Sequence, residues 1–169
     1  MERSGKTAVV VDDELITRLD FSGMLSDLGF TVTGSAADGF DAVEICRNTR
    51  PDLVLMDISM PIFNGLSAAE KILQEGLARA VVIVSAFSDR ETIRKAADLG
   101  VKGYLVKPVE TNALCACVEV ALAAAGREAR LRDEKLAAEE ALADAKIIDK
   151  AKRILAAADR ISEPEAYRK

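Results

Sequence analysis

Asp12, Asp13, Asp57, Ser85 and Lys107 carry groups from which phosphoryl chemistry can be built. The two adjacent acids follow the apolar run TAVVV, and a third acid follows DLVLM. The serine closes AVVIVS, and the lysine closes GYLVK with Pro108 behind it. Three carboxylates brought to one pocket repel one another unless a cation sits among them. A hard, oxygen-seeking divalent ion such as Mg2+ meets that need, and it characteristically keeps waters and phosphate oxygens as its remaining ligands. Lys107 adds a point positive charge and Ser85 a hydroxyl donor, which together would hold a transferring phosphoryl group by charge and position. Singly, each residue has an ordinary reading: acids after strands often cap helices, and Lys-Pro is often a turn. Their joint placement at four strand ends is what points to a site.

Those strand ends follow from the pattern around them. Five runs rich in β-branched residues recur: Thr7–Val11, Thr31–Ala36, Asp52–Met56, Ala80–Ser85 and Gly103–Lys107. Most are continuously apolar rather than alternating, as strands covered on both faces are. Helical patterns separate them at Leu15–Leu28, Gly39–Asn48, Leu66–Gln74 and Arg90–Leu99, with another from Asn112 onward. Gly29 and Gly100 stand where helix C-caps belong. Repeated strand–helix units predict an α/β fold with an open parallel sheet and helices on both sides. Ligands of such sheets bind outside the carboxyl ends of the strands, where the chemistry-bearing residues fall.

Composition narrows the classes. The 169 residues suit one domain plus an appendage, half of them apolar and 30% charged. There is no run of eighteen apolar residues, and MERSGKTAVVVDDE lacks a signal-peptide pattern, so the expectation is a cytoplasmic protein with no membrane partner. Cys46, Cys115 and Cys117 have spacings that suit neither zinc nor a redox motif, and they read as packing. Histidine is absent, which excludes a Ser-His-Asp enzyme, a His-ligated metal and a kinase phosphorylating its own histidine. Residues 1–125 hold 12 basic and 18 acidic side chains, whereas residues 126–169 hold 11 and 10. The front therefore has no nucleic-acid footprint, and no DNA partner is expected.

From Asn112 to about Asp159 the chain reads as one long helix, faltering near its only glycine, Gly126. Nine of the fourteen residues from Arg127 to Glu140 are charged, as on a solvated helix. Further along, Ile147, Ala151, Ile154, Ala158 and Ile161 form one stripe, widened by Ile148 and Leu155. Isoleucine alternating with alanine makes a narrow seam that a lone helix cannot bury, so a second copy is expected as partner and a homodimer as the product.

VVVDDE, LVLMDISMPIFNG, VIVSAFSD and GYLVKPV together resemble, in order and spacing, the motifs of the response-regulator receiver domain over roughly residues 5–122. The resemblance implies a flavodoxin-like fold with strand order 2-1-3-4-5 and Asp57 as phosphoacceptor. Asp13 and Asp57 would bind Mg2+ directly with the backbone carbonyl of Ser59, and Asp12 through water. Lys107 would pair with the acceptor carboxylate and then with the phosphoryl group. Ser85 and Tyr104 occupy the switch positions: the hydroxyl would turn toward the phosphoryl oxygens and Tyr104 would rotate inward. The positions that govern hydrolysis of the acyl phosphate hold Ser59 and Phe87, neither an acid nor an amide able to orient water. A long-lived phosphoryl state is expected, with slow autodephosphorylation at most, rather than an enzyme. An aspartate-nucleophile phosphatase is the rival for the same site, but Ser59 stands where its general acid belongs. The donor would be a separate histidine kinase or phosphotransfer protein.

The tail, through I-I-D-x-A-K-x-I-L from Ile147 to Leu155 and S-E-P-E-A-Y-R after it, resembles the opening of the ANTAR module, an RNA-binding antitermination domain. Ser162 and Glu165 form a capping box with Pro164 in the first turn, so a new helix is expected there. The implied organisation is a receiver at 1–122, a helical linker or coiled coil at 123–145 and a partial ANTAR-like module at 146–169. The chain stops at Lys169, inside what would be the second helix of three, so the expectation is a longer protein cut short. RNA binding is implied for the complete module; with few aromatics and no net basic patch, this chain is expected to bind RNA poorly or not at all. The rival reading of the whole is a receiver with a coiled-coil tail acting only through protein contacts.

Overall fold

The computed structural model describes residues 5–159, and Ile161 with the capping box at Ser162 and Glu165 lies outside them. The chain divides into two units, Met1–Gly126 and Arg127–Lys169. The front unit is a five-stranded parallel sheet in the order β2-β1-β3-β4-β5. Its strands are β1 (Thr7–Val11), β2 (Thr31–Ala36), β3 (Leu53–Met56), β4 (Ala80–Ser85) and β5 (Gly103–Val106). Between them lie α1 (Leu15–Asp27), α2 (Gly39–Thr49), α3 (Gly65–Gln74) and α4 (Arg90–Leu99), and α5 (Thr111–Asp159) follows β5. This is the flavodoxin-like arrangement expected from the sequence.

The burial of each strand explains its composition. Every residue of β3 and β4 is buried, whereas the edge strand β2 alternates exposed and half-buried positions up to Ala36. Alternate residues of one strand serve opposite faces. Val9 and Val11 pack with Met56, Ile83 and the helices α2, α3 and α4, through residues such as Val43, Ile72 and Ala96. Ala8 and Val10 pack with Leu53, Leu55 and Val82 against Phe21 and Leu25 of α1 and Leu114, Val118 and Ala121 of α5. The helix starts have local causes. The side chains of Asp38, Asn64 and Asp89 accept from the backbone N–H groups of Asp41, Ser67 and Thr92, capping α2, α3 and α4. At the far end of α4, Gly100 adopts φ 95°, a left-handed cap that glycine takes without a Cβ clash.

The second unit, as far as it is described, is the remainder of α5. The helix does not falter at Gly126, because the surrounding Ala, Leu, Glu, Lys and Arg outweigh a single glycine's cost of about 1 kcal/mol. Of the predicted seam, Ile147 and Ile154 are 66% and 58% exposed, and Ala151 and Ala158 are exposed as well. Among the described residues, no helix is long and apolar enough to cross a membrane.

Candidate functional site

Backbone hydrogen bonds align the strand ends. The Asp57 N–H donates to the Val11 carbonyl (2.9 Å), the Asp12 N–H to Ala36 (3.1 Å) and the Lys107 N–H to Ser85 (2.9 Å). Parallel pairing thus sets Asp57 beside Asp12 and Asp13, and Lys107 at the end of the neighbouring strand pair. One carboxylate oxygen from each of Asp12, Asp13 and Asp57 lies within 4.8 Å of the others. Asp12 and Asp57 are buried, 2% and 6% exposed, whereas Asp13 is open to solvent.

Lys107 is the nearby cation. Its Nζ donates to Asp12 Oδ2 at 2.7 Å and stands 3.7 Å from Asp57 Oδ2. The sequence expectation had Lys107 on the acceptor carboxylate, yet its shorter bond is to Asp12. Asp12 is the more completely buried charge, and a hydrogen-bonded ammonium relieves more desolvation there. Burial works against the Lys107 charge, but the bond to Asp12 and the field of Asp57 prevail and raise its pKa. Asp57 is pushed up to about 6, first by burial and then by its neighbours Asp12 and Asp13, against the pull of Lys107 and of the Ser59 N–H.

Ser85 is fully buried, and its hydroxyl oxygen accepts from the Phe87 N–H at 3.0 Å. The Tyr104 hydroxyl donates to the Phe87 carbonyl at 2.6 Å, with its ring half-buried against the core on the α2–α3–α4 side. One exposed residue, Phe87, therefore holds both predicted switch side chains through its two backbone groups. Ser59 sits in the β3–α3 loop, exposed.

Two further residues belong to this site and are not legible from residue type. Arg18 of α1 donates from Nη1 to the Asp12 carbonyl at 2.7 Å. Gly65, the first residue of α3, lies directly beneath Asp57, and its N–H donates to the Ile58 carbonyl at 3.0 Å. The NG pair in LVLMDISMPIFNG was the only sequence signal for the second, and nothing but helical spacing pointed to the first.

The donor set fits Mg2+. It consists of carboxylate oxygens, it is compact, and the charges of Asp12 and Asp13 oppose ionisation of Asp57, an effect that a divalent cation would reverse. Zinc or copper would look for nitrogen or sulfur ligands.

The response regulator receiver domain model matches residues 8–119, and the ANTAR domain model matches residues 136–169. The chain is 33% identical over 163 residues to the transcriptional regulatory protein PdtaR of Mycobacterium tuberculosis, covering 96% of this chain and 79% of that protein. It is 41% identical over 104 residues to the chemotaxis protein CheY of Treponema pallidum, covering 60% of this chain and 72% of that one. Among solved structures, a chain of the CheX–CheY–BeF3–Mg2+ complex from Borrelia burgdorferi superposes with a TM-score of 0.64 at 27% identity, covering 67% of this chain and 86% of that one. The receiver match takes in most of the chain and the PdtaR alignment nearly all of it: the chain belongs to the response regulators, a receiver domain followed by an ANTAR domain.

Proposed function

We propose that Asp57 accepts a phosphoryl group from a phosphohistidine on a partner kinase or phosphotransfer protein, and that the receiver state this creates controls an RNA-binding antitermination output. The observation that carries the reading is the meeting of Asp57 with two other carboxylates and Lys107 at one sheet edge. These 169 residues contain no histidine, so none of them supplies the donor imidazole. A carboxylate oxygen of Asp57 attacks phosphorus, a P–O bond forms, the P–N bond breaks, and its electron pair stays on the departing imidazole nitrogen.

Asp13, Asp57 and the Ser59 carbonyl would hold Mg2+, with Asp12 acting through water. When bound, the ion supplies positive charge to the equatorial oxygens of the transferring group. Lys107, already poised between Asp12 and Asp57, supplies a second positive charge to the same oxygens. The Ser85 hydroxyl turns from the Phe87 N–H to donate to a phosphoryl oxygen. That leaves the Phe87 N–H without its acceptor, so the loop holding the Tyr104 hydroxyl must rearrange. The switch thus runs from Ser85 to Tyr104 through one peptide pair.

Neither Ser59 nor Phe87 can orient a hydrolytic water well. After acetyl phosphate labelling in Mg2+, the acid-labile label on Asp57 is expected to persist for minutes or longer at 25 °C. A half-life of seconds would contradict this account of the two positions. The same assay tests the function itself: no label on the wild-type chain, from acetyl phosphate or a phosphorylated kinase, sinks the phosphoacceptor reading.

The exposed seam on α5 pairs two chains in this reading. Burying an isoleucine side chain in such a pair is worth about 1.5–3 kcal/mol. Ile147→Asp is therefore expected to sediment as a monomer under conditions where the wild-type chain, with beryllofluoride and Mg2+, sediments as a dimer. A wild-type monomer both with and without beryllofluoride removes the dimeric output for these residues. Binding of terminator hairpin RNA in a gel shift, by a chain extended beyond residue 169, separates an RNA output from one made only of protein contacts.

A further inference from the structure

Asp12 is held at each of its polar atoms. Its N–H donates to Ala36, Oδ1 accepts from the Glu14 N–H at 2.9 Å, and Oδ2 accepts from Lys107. The remaining atom, the carbonyl oxygen, accepts from Arg18 Nη1 at 2.7 Å, a charged donor reaching back from a half-buried position in α1. That carbonyl shares a peptide plane with the N–H of Asp13. Fixing the oxygen fixes the plane from which the Asp13 side chain starts. Asp13 has no such fastening of its own: it is exposed, and its carboxylate makes no hydrogen bond or ion pair among the described residues. Its place within 4.8 Å of the Asp12 and Asp57 oxygens therefore depends on the backbone that presents it.

We propose that Arg18 is a positioning residue for the acidic pocket, holding the Asp12–Asp13 peptide so that the Asp13 carboxylate completes the cation site. This rests on the reading of the pocket as a Mg2+ site. The guanidinium suits the task because its planar fork keeps an N–H aimed at one acceptor, whereas a lysine ammonium does not.

Charge alone predicts the opposite effect. A positive group near a cation site repels the cation, so its removal should tighten Mg2+ binding. Positioning predicts that removal loosens it. The wild-type chain, Arg18→Gln and Arg18→Lys are titrated with Mg2+ alone, by calorimetry and by the amide NMR shifts of Asp57 and Ser59. Thermal unfolding is recorded in parallel in EDTA. Arg18→Gln is expected to bind Mg2+ roughly tenfold more weakly, in the range typical of lost outer-shell partners. Arg18→Lys is expected to fall between it and wild type. Unchanged or tighter Mg2+ binding by Arg18→Gln, whatever its unfolding temperature, overturns the proposal and leaves Arg18 a purely structural residue. If Arg18→Gln does not fold, Arg18→Lys carries the test: severalfold weaker binding supports positioning and wild-type affinity refutes it. A wild-type chain that gives neither heat nor shift with Mg2+ overturns the metal reading, and this inference with it.

Discussion

Asp57→Asn abolishes labelling by acetyl phosphate and, at pH 8 without Mg2+, unfolds at a higher temperature than the wild-type chain. The first half follows from chemistry, since a carboxamide has no oxygen able to displace the donor's leaving group. The second follows from the pocket. Burial and two neighbouring carboxylates raise the Asp57 pKa from an ordinary 3.8 to about 6, so the folded state resists holding this charge. A folded pKa above the unfolded one means that the unfolded chain gives up its proton first, and stability is lost as pH rises between the two values. The penalty is fully present above about pH 6 and absent below about pH 4. At 1.36 kcal/mol per unit, it is on the order of 3 kcal/mol. Asparagine keeps the shape without the charge, so the gain should appear at pH 8 and vanish at pH 4. Saturating Mg2+ should narrow the gap by stabilising the wild-type chain in preference to the variant. Equal unfolding temperatures at pH 8 would mean that the pocket does not strain Asp57.

Gly65→Ala should be among the most damaging single-methyl changes in the receiver. A Cβ on Gly65 would overlap the Asp57 carbonyl oxygen and stand 2.7 Å from the Asp57 carbonyl carbon and 2.9 Å from the Ile58 Cα. All three are backbone atoms, so no side chain can swing aside. The end of β3 and the start of α3 must separate, which breaks the Gly65–Ile58 hydrogen bond and moves the residue that carries Asp57. Overpacking of a buried position costs about 1–3 kcal/mol even where side chains can adjust, so a loss of at least about 3 kcal/mol is expected here. The comparison variant is Gly23→Ala in α1, where nothing lies within 4 Å of an added Cβ. That change should be neutral or slightly stabilising through helix propensity. Denaturant unfolding of the two variants checks the contrast, and Mg2+ binding should be lost only in Gly65→Ala. A Gly65→Ala chain with wild-type stability would mean that the close approach beneath Asp57 is not maintained in solution.

The sheet was readable because its signal is periodic and redundant. Continuous apolar runs such as AVVIVS coincide with β4 to the residue, and Arg90–Leu99 coincides with α4, because the capping Asp89 and the left-handed Gly100 punctuate it locally. Other edges moved by one residue: α1 starts at Leu15 as expected but ends at Asp27 rather than Leu28, and α3 starts at Gly65 rather than Leu66. The acidic cluster was legible because strand ends in a parallel sheet converge. What could not be read were the contacts that depend on distances between elements. The preference of Lys107 for Asp12, the reach of Arg18 and the collision awaiting a Cβ at Gly65 leave no mark in composition or spacing. Gly126 shows the reverse error, since a local rule had the long helix faltering there and its helical neighbours override it.

The three cysteines have a practical side. Cys46 is fully buried, and burial pushes its thiol up to about 12, so it should ignore maleimides at neutral pH. Cys117 is half-buried with a raised pKa, and its sulfur crowds Gly103. Cys115, in the opening turns of α5, is half-buried like Cys117, and the chain contains no tryptophan to compete with an attached dye. A fluorophore can therefore be placed on the helix that follows β5 without altering a codon, and its emission followed while beryllofluoride is added.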